Sequence, residues 1–286
     1  MHNEKLAFDI IVQAGQSNAQ GCGIGPVAEE YVPNENIYCL TGIYSDVTDA
    51  DGKRSITYDN SKPTLDIGDE FVNNGQKTGE LAFTFADAYV KNGLLAEGRK
   101  VLILRTAIGG TCFKRKEWGP GCPVEERMHE LIAYALAMNP ENRIVAFLWH
   151  QGESDCYDDR FPLHPVRLSA IIDGFRADLG LEDVPFLVGG LGDYLQKFKG
   201  GNIVWSNNYR TINSSLKHLA ESKPHMGFVS AEGLTSNPDY MHFTAESLLE
   251  FGRRYYRVFE TLEDKNRIFA EKTTMDAAIR GELESL

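Results

Sequence analysis

Short apolar runs alternate with longer amphipathic segments along this chain, and that alternation constrains the fold more than any other feature. Each run is brief and almost continuous, which is typical of a parallel strand covered on both faces. Strands are predicted at residues 8–14, 100–106, 143–150, 185–190 and 226–231. Helices are predicted at residues 79–91, 124–137, 168–179, 206–220 and 244–262. Helices between strands predict right-handed crossovers, and therefore an α/β fold: a three-layer α/β/α sandwich with a central five-stranded parallel sheet.

Two regions depart from this alternation. Residues 31–79 carry little helical periodicity but contain two turn pairs, Asp51-Gly52 and Asn74-Gly75, which predict a long excursion with a β-hairpin at the rim of the site. Residues 264–286 are charged and predict a helical extension, which could pack on the domain or against a second copy of the chain. Since no stretch of biased composition divides the chain, one domain is predicted over residues 1–286, and a homo-oligomer stays open.

The acidic balance of the chain speaks against a nucleic-acid partner, because 41 acidic against 29 basic side chains give a formal net charge of −12. Nucleic-acid binders usually neutralise phosphates with clustered cations, and the compact basic cluster here is only Lys114, Arg115 and Lys116. No apolar run approaches the ~20 residues that span a bilayer, and no basic region precedes a long apolar one at the N-terminus. A cytoplasmic protein with no membrane association is expected, its five scattered cysteines reduced.

Polar and small residues follow the first two predicted strands, where an open parallel sheet binds its ligands. Gly15 permits a sharp turn after the first strand, which would leave Ser17 at the mouth of the sheet as a nucleophile. A serine at this place could equally cap a helix. After the second strand, Gly109 and Gly110 could present a backbone N–H to a developing oxyanion, or could form a plain turn.

Titratable side chains also follow the third predicted strand and precede the last predicted helix. Gln151, Glu153 and Asp155 directly follow the third strand, where buried polar groups are costly unless they pair or act. Asp239 precedes His242 by three residues, so its carboxylate could hold the imidazole Nδ1–H and leave Nε2 free to take a serine proton. The alternative is that Asp239 only closes a turn and that His242 caps the last helix.

These four segments resemble the sequence blocks of SGNH hydrolases, and more closely the branch of sialate O-acetylesterases and family 6, acetylxylan esterase-like, carbohydrate esterases. The matching blocks are G-Q-S-N at 15–18, G-G-T at 109–111, W-x-Q-G-E-x-D at 149–155 and D-x-x-H-F at 239–243. The resemblance covers about residues 8 to 260 and implies a flavodoxin-like fold. It also implies a serine esterase that removes O-acetyl groups from an acetylated sugar, a xylan fragment or a sialic acid, with no metal or cofactor.

The resemblance implies roles for individual residues. Ser17 matches the nucleophile, His242 the general base and Asp239 the acid that orients the base. The oxyanion hole would comprise the backbone N–H groups of Ser17 and Gly110 and the side-chain amide of Gln151.

Two supporting residues follow from the same comparison. Gln16 stands where the wider superfamily has Asp, but agrees with the acetylesterase branch. Glu153 is expected to lie close to His242, secondary to Asp239, since some relatives use a glutamate here as the histidine partner.

Two other functions stay open from the sequence. The same triad could serve a lipase or thioesterase. An apolar crevice and a preference for long acyl chains would favour that alternative. An inactive carbohydrate-binding relative is the rival outside the enzymes, although Ser17, Asp239 and His242 are all intact. Among sugars, the cluster of Lys114, Arg115 and Lys116 could favour an acidic one.

Overall fold

A seven-stranded sheet forms the centre of the computed structural model, which describes residues 6–23, 25, 31–73, 76–157, 161–201 and 203–262. Its strands are β1 (Ala7–Gly15), β2 (Ile37–Thr48), β3 (Arg54–Ile67), β6 (Arg99–Arg105), β7 (Arg143–His150), β8 (Phe186–Gly189) and β9 (Met226–Val229). Their order across the sheet is β3-β2-β6-β1-β7-β8-β9, and all neighbours are parallel except β2 and β3. Two short strands, β4 (Val72–Asn73) and β5 (Gln76–Lys77), pair separately. The predicted α/β/α fold is confirmed, but the predicted count of five strands is wrong.

The two additional strands come from the segment that the sequence predicted to be an excursion. At the start of β2, Ile37 and Leu40 are buried and pair in register with Val101 and Leu104 of β6. From Ile43 onward β2 leaves the core and continues with β3 as an exposed hairpin, which turns at Gly52. The apolar stretch of β2 is too short for the sequence alone to indicate a strand.

Two other predictions lie outside the described residues. They are the turn at Asn74-Gly75 and the C-terminal extension 264–286.

The helices form layers on the two faces of the sheet. They are α1 (Ser17–Gln20), α2 (Leu81–Lys91), α3 (Pro123–Met138), α4 (His164–Leu179), α5 (Phe198–Gly201), α6 (Ile203–Ser222) and α7 (Ala245–Glu260). Neighbouring residues of β7 point to opposite faces, so Phe147 packs on Phe175 of α4 while His150 packs on Phe251 of α7.

Close packing joins α2 and α7 on the second face. A Cβ atom on Gly252 of α7 would lie 2.1 Å from the carbonyl oxygen of Leu81, so only glycine permits this approach. Thr84 of α2 also donates a hydrogen bond to the carbonyl oxygen of Leu249. Of the helices in the described ranges, none is long and apolar enough to cross a bilayer.

Candidate active site

Ser17 lies at the carboxyl end of β1, where the chain turns sharply into α1. Gly15 makes this turn possible: its φ is +131°, and a Cβ atom there would lie 2.0 Å from the carbonyl oxygen of His150. The next residue, Gln16, donates its backbone N–H to that same oxygen at 3.0 Å. The turn therefore locks the end of β1 against β7, with Ser17 as the first residue of the short helix.

Ser17, His242 and Asp239 form a continuous hydrogen-bonded chain. The distance from Ser17 Oγ to His242 Nε2 is 2.9 Å, and the distance from His242 Nδ1 to Asp239 Oδ2 is 2.7 Å. The His242 and Asp239 side chains are 29% and 46% exposed, whereas Ser17 is buried. The series of hydrogen bonds therefore leads from a buried serine to a solvent-exposed carboxylate. The geometry allows His242 to accept the proton of Ser17 while Asp239 fixes the imidazole.

The segment that carries His242 is held in shape by Asp239 itself. Asp239 Oδ1 accepts the backbone N–H groups of Met241 and His242 at 2.9 and 3.1 Å, so the carboxylate closes the turn as well as facing the imidazole. Partial burial opposes ionisation, but these N–H groups and His242 together hold the pKa of the Asp239 carboxyl below its usual value. His242 does not cap the last helix, because Thr244 is the N-cap of α7.

Gly109 and Gly110 form a turn beside Ser17, as a Cβ atom on Gly109 would lie 3.6 Å from Ser17 Cβ. The N–H of Gly109 is already used, since it donates to Gln20 Oε1 at 3.0 Å. Gly110 has a φ of +69°, and no acceptor for its N–H is found among the described residues. The carbonyl oxygen of Gly109 accepts from Arg54 of the hairpin at 2.6 Å. The turn therefore leaves one N–H, that of Gly110, available to a ligand.

Gln151 lies beside this turn, but its amide group is occupied. Its Nε2 donates to a carboxylate oxygen of Asp155, and also to the carbonyl oxygen of Thr111 at 3.3 Å. The side chain is fully buried, and no hydrogen bond joins it to Ser17, both residues being described. Both amide hydrogens of Gln151 are therefore engaged by Asp155 and Thr111, and its role as an oxyanion donor stays a prediction.

Glu153 does not hydrogen-bond to His242, although both residues are described and the sequence predicted them close together. Its carboxylate instead accepts from His150 Nε2 at 2.9 Å and from the side-chain amide of Asn18. Burial opposes ionisation of Glu153, yet His150 and Asn18 hold the pKa of its carboxyl below the usual value. Glu153 is therefore linked to the His242 segment through Asn18, and the histidine that it contacts directly is His150.

Asn18 is the site residue to which the sequence assigned no role. Its Oδ1 accepts the backbone N–H of Phe243 at 3.0 Å, and its Nδ2 donates to the carbonyl oxygen of Met241 at 3.2 Å. These two bonds hold the residues on either side of His242 against the helix that carries Ser17. Its position directly after Ser17 in the G-Q-S-N block was the signal that could have revealed it.

Gln16 joins the first and third blocks. Its Oε1 accepts the backbone N–H of Ser154 at 3.2 Å and that of Gly152 at 3.5 Å. The Gln16 side chain is itself buried, at 2% exposed. Gln16 therefore braces the loop after β7, and its side-chain hydrogen bonds go to that loop and not to Ser17 or His242, all of these residues being described.

The cysteines near the site are poor nucleophiles. Burial raises the pKa of the Cys112 thiol to about 11, and it raises that of Cys156 well above the usual value. A thiolate is therefore strongly disfavoured at neutral pH. All five cysteines are unpaired.

Charged side chains around the glycine turn are paired rather than free. Arg54 forms a two-pronged contact with Asp46 and also reaches Glu117 at 3.3 Å, while Arg115 pairs with Glu117 at 2.8 Å. Arg54 and Arg115 are thus neutralised by neighbouring carboxylates. The expectation that the basic cluster at 114–116 selects an acidic sugar finds no support in Arg115.

Two curated proteins have sequences similar to that of this chain. The chain is 28% identical over 176 residues to an Arabidopsis thaliana protein named as a probable carbohydrate esterase. It is 32% identical over 62 residues to a probable 9-O-acetyl-N-acetylneuraminic acid deacetylase of Escherichia coli. The two alignments cover 59% and 22% of this chain, and 58% and 19% of those curated relatives, which is less than two thirds of either.

Solved structures share the fold. The crystal structure of NanS superposes with a TM-score of 0.70 and 20% identity, over 91% of this chain and 98% of that one. An Arabidopsis thaliana protein gives a TM-score of 0.66 and 22% identity, over 89% and 98%. At these identities, the likeness concerns the arrangement of strands and helices.

A family model matches almost the whole described chain. Its description is "carbohydrate esterase, sialic acid-specific acetylesterase", and the match runs over residues 7–261, from the first strand to the end of α7. The chain therefore belongs to the SASA family of carbohydrate esterases.

Proposed function

We propose that this protein is a serine esterase that removes O-acetyl groups from a carbohydrate through an acetyl-enzyme intermediate. The observation that carries the proposal is the hydrogen-bonded chain from Ser17 through His242 to Asp239, with links of 2.9 and 2.7 Å. Membership of the SASA family supports the class of substrate, and the E. coli relative supports a sialic acid as the first sugar to test.

In the first half of the proposed reaction, His242 Nε2 takes the proton of Ser17 Oγ as the oxygen attacks the acetyl carbonyl carbon. The resulting oxyanion accepts hydrogen bonds from the N–H groups of Ser17 and Gly110. Ser17 is the first residue of α1, so its N–H has no acceptor inside the helix. As the intermediate collapses, the bond to the sugar oxygen breaks and His242 gives its proton to that oxygen.

Water completes the cycle in the second half. His242 removes a proton from a water molecule, whose oxygen attacks the acetyl group on Ser17. Collapse then releases acetate, and the proton on His242 returns to Ser17 Oγ. Asp239 stays ionised throughout and stabilises the imidazolium form of His242 in both halves. Gln151 can serve as the third oxyanion donor only if its amide leaves Asp155 or Thr111 during the reaction.

The experiment is a comparison of p-nitrophenyl acetate hydrolysis by the wild type, by Ser17→Ala and by the control Ser214→Ala, whose side chain is exposed on α6. We expect kcat to fall by at least about 10³-fold in Ser17→Ala and to be unchanged in the control. Activity that survives Ser17→Ala would remove the nucleophile assignment. If the wild type hydrolyses no ester, the alternative of an inactive carbohydrate-binding protein would be favoured.

Acyl chains of increasing length separate the esterase from a lipase or thioesterase. We expect the highest kcat/KM on acetate and a decline from butyrate onward. A screen of acetylated sugars then follows, with 9-O-acetyl-N-acetylneuraminic acid and acetylated xylan fragments side by side. A rise of kcat/KM with chain length would instead favour the lipase or thioesterase reading.

A further inference from the structure

The tip of the β2–β3 hairpin reaches the glycine turn beside Ser17. The hairpin leaves the core at Ile43, and Arg54 is the first residue of β3, directly after the hairpin turn. The guanidinium of Arg54 donates through Nη2 to the carbonyl oxygen of Gly109 at 2.6 Å. A side chain 55 positions earlier in the sequence therefore contacts the peptide group whose N–H is the candidate oxyanion donor.

The carbonyl oxygen of Gly109 and the N–H of Gly110 belong to the same peptide group. A trans peptide group is planar, so its C=O and its N–H point in opposite directions. The hydrogen bond from Arg54 to the oxygen therefore also fixes the direction of the Gly110 N–H, which points away from Arg54. Gly110 is exposed, and its N–H has no acceptor among the described residues.

Two consecutive glycines make this peptide group easy to rotate. Neither Gly109 nor Gly110 has a Cβ atom, and Gly110 already has a φ of +69°, which glycine adopts at little cost. Rotation of the peptide group by about half a turn would place the Gly109 carbonyl oxygen where the Gly110 N–H now lies. An oxygen at that place would repel a developing oxyanion instead of stabilising it. The turn therefore needs a contact that favours one of its two orientations.

Arg54 can supply that contact because two carboxylates hold its guanidinium in place. Asp46 accepts from Nε at 2.8 Å and from Nη2 at 2.5 Å, and Glu117 accepts from Nη1 at 3.3 Å. The hydrogen bond with Arg54 holds the pKa of the Asp46 carboxyl below its usual value, so this anchor is charged at neutral pH. A hydrogen bond from a charged donor favours one orientation of its acceptor by roughly 10- to 100-fold.

A second arginine holds the next carbonyl group of the same turn. Arg115 donates to the carbonyl oxygen of Gly110, and Glu117 binds the Arg115 guanidinium at 2.8 Å. Glu117 also accepts the backbone N–H of Cys112 at 2.7 Å, so one carboxylate links both arginines to the residue that follows the turn. The turn is thus held from the side of the hairpin, and the Gly110 N–H is left to a ligand.

We propose that Arg54 is a positioning residue for ester hydrolysis: it keeps the N–H of Gly110 directed toward the oxyanion that forms at Ser17. The proposal rests on the esterase function proposed above, and it gives the β2–β3 hairpin a role in that reaction. Arg54 acts through the peptide group of the glycine turn and not on the substrate. Its loss should therefore weaken binding of the transition state, which carries the oxyanion, more than binding of the ester.

The first test compares p-nitrophenyl acetate hydrolysis by the wild type and by Arg54→Gln. Full loss of one oxyanion donor costs about 10²- to 10³-fold in kcat, and a turn that rotates only part of the time loses less. We therefore expect kcat to fall by about 10- to 100-fold, with KM within about twofold of the wild type. Arg54→Lys keeps the charge without the planar fork and should retain more of kcat than Arg54→Gln does. An unchanged kcat, or a loss that lies in KM alone, would overturn the proposal.

A thionoester separates oxyanion positioning from a general disturbance of the site. p-Nitrophenyl thionoacetate carries sulfur in place of the carbonyl oxygen, and sulfur is a weaker hydrogen-bond acceptor. The measured quantity is kcat/KM for the oxygen ester divided by kcat/KM for the thionoester. We expect Arg54→Gln to lower this ratio by at least about fivefold, because the contact that it loses favours the oxygen anion. A fall in activity with the ratio at its wild-type value would contradict the role of Arg54.

Two control variants match the features of Arg54. Lys53→Gln removes the neighbouring cation of the hairpin, which is exposed. Arg176→Gln removes another arginine that donates to backbone carbonyl oxygens, but these belong to Pro224 and His225 at the opposite end of the sheet. Both variants should keep the kcat and the ester ratio of the wild type. Equal losses in Lys53→Gln and Arg54→Gln would show that any change in the hairpin suffices, against a specific role of Arg54.

Asp46→Asn keeps the proposal testable even if Arg54→Gln does not fold. This variant weakens the anchor and leaves the arginine in place, and the Asp46 side chain is 31% exposed. We therefore expect a smaller loss of about two- to fivefold in kcat, with a lower ester ratio. Wild-type values of both quantities would refute the anchored contact. An active wild type that Arg54→Gln equals refutes only the positioning role, whereas a wild type without esterase activity refutes the function itself.

Discussion

Two carboxylates at opposite ends of the central strands are equally withdrawn from solvent, yet they have different partners. Asp9 lies near the amino end of β1, where Arg99 and Arg143 contact it at 2.8 and 2.7 Å. Glu153 lies just beyond the carboxyl end of β7, where His150 and Asn18 hold it. Burial alone therefore does not mark a functional carboxylate in this fold.

The difference lies in what each carboxylate connects. The arginines at Asp9 come from β6 and β7 and Tyr89 comes from α2, so the cluster joins three neighbouring strands and one helix, and none of its members bonds to the candidate triad, all of these residues being described. Glu153 is bonded to Asn18, which in turn holds the backbone on both sides of His242. We infer that the Asp9 cluster stabilises the fold. The bond between Glu153 and Asn18, in contrast, helps to hold His242 in place in the candidate triad. The following variants test this division, in order of the expected effect.

Asp239→Asn should have the largest effect, because it removes the charge that stabilises the imidazolium form of His242. We expect kcat on p-nitrophenyl acetate to fall by about 10³- to 10⁴-fold. The free energy of unfolding should change little, since the Asp239 side chain is 46% exposed. Steady-state kinetics and urea unfolding on the same preparation measure both quantities. A loss below tenfold would show that His242 works without Asp239.

Asp9→Asn should act on stability and leave catalysis intact. Removing the carboxylate leaves Arg99 unpaired, and breaking a buried pair costs about 3 kcal/mol, or roughly two orders of magnitude in the folding equilibrium. Because the Arg143 side chain is 57% exposed, solvent screens its share of the loss. Urea unfolding gives the change, and kcat per folded molecule should match the wild type. A fall in kcat without a fall in stability would erase the distinction between the two carboxylates.

Glu153→Gln should have a smaller effect on kcat than Asp239→Asn, because Glu153 acts through Asn18 rather than on the imidazole. We expect a loss of about 10- to 100-fold in kcat with little change in KM for p-nitrophenyl acetate. Asn18→Asp sets a second carboxylate against Glu153 and should show a loss at least as large, whereas in the double variant the amide at position 153 can donate to the carboxylate at position 18, so the double loss should be smaller than the sum of the two single losses. Fully additive losses would mean that the two residues act independently.

The smallest effect concerns the dependence of stability on pH. Burial opposes ionisation of Asp9, but its hydrogen bonds with Arg143, Tyr89 and Arg99 hold the pKa of the carboxyl below its usual value of 3.8. A lowered pKa in the folded state stabilises the protein fully above that value, and this contribution is lost as the pH falls through the folded pKa. The stability difference between wild type and Asp9→Asn should therefore be constant from pH 5 to 7 and shrink below about pH 4. A difference that grows in acid would contradict this sign.

The sequence predicted those features of the fold and site that depend on residues adjacent in the chain. The β1, β6 and β7 strands are apolar runs, and the Ser17, Gly110 and Gln151 segments follow them, so these segments could be located in advance. The turn closed by Asp239 is likewise a three-residue feature that can be read from the chain.

What the sequence could not provide are relations between distant segments. The bond between Asn18 and Glu153 joins residues 135 positions apart, and it depends on the spacing of β1 and β7 in the folded sheet. The strand β2 was missed because its pairing with β6 rests on a short buried stretch that begins at Ile37. The orientation of Gln151 toward Asp155 follows from packing, which no local pattern encodes.

Direct identification of the acylated residue is the most decisive measurement. The wild type is quenched in acid during steady-state turnover of p-nitrophenyl acetate, digested and analysed by mass spectrometry, with His242→Ala treated in parallel. We expect an acetyl group on the peptide that contains Ser17, located on Ser17 by fragmentation, and none in His242→Ala. An acetyl group on another residue, or rapid turnover with Ser17 never modified, would contradict it.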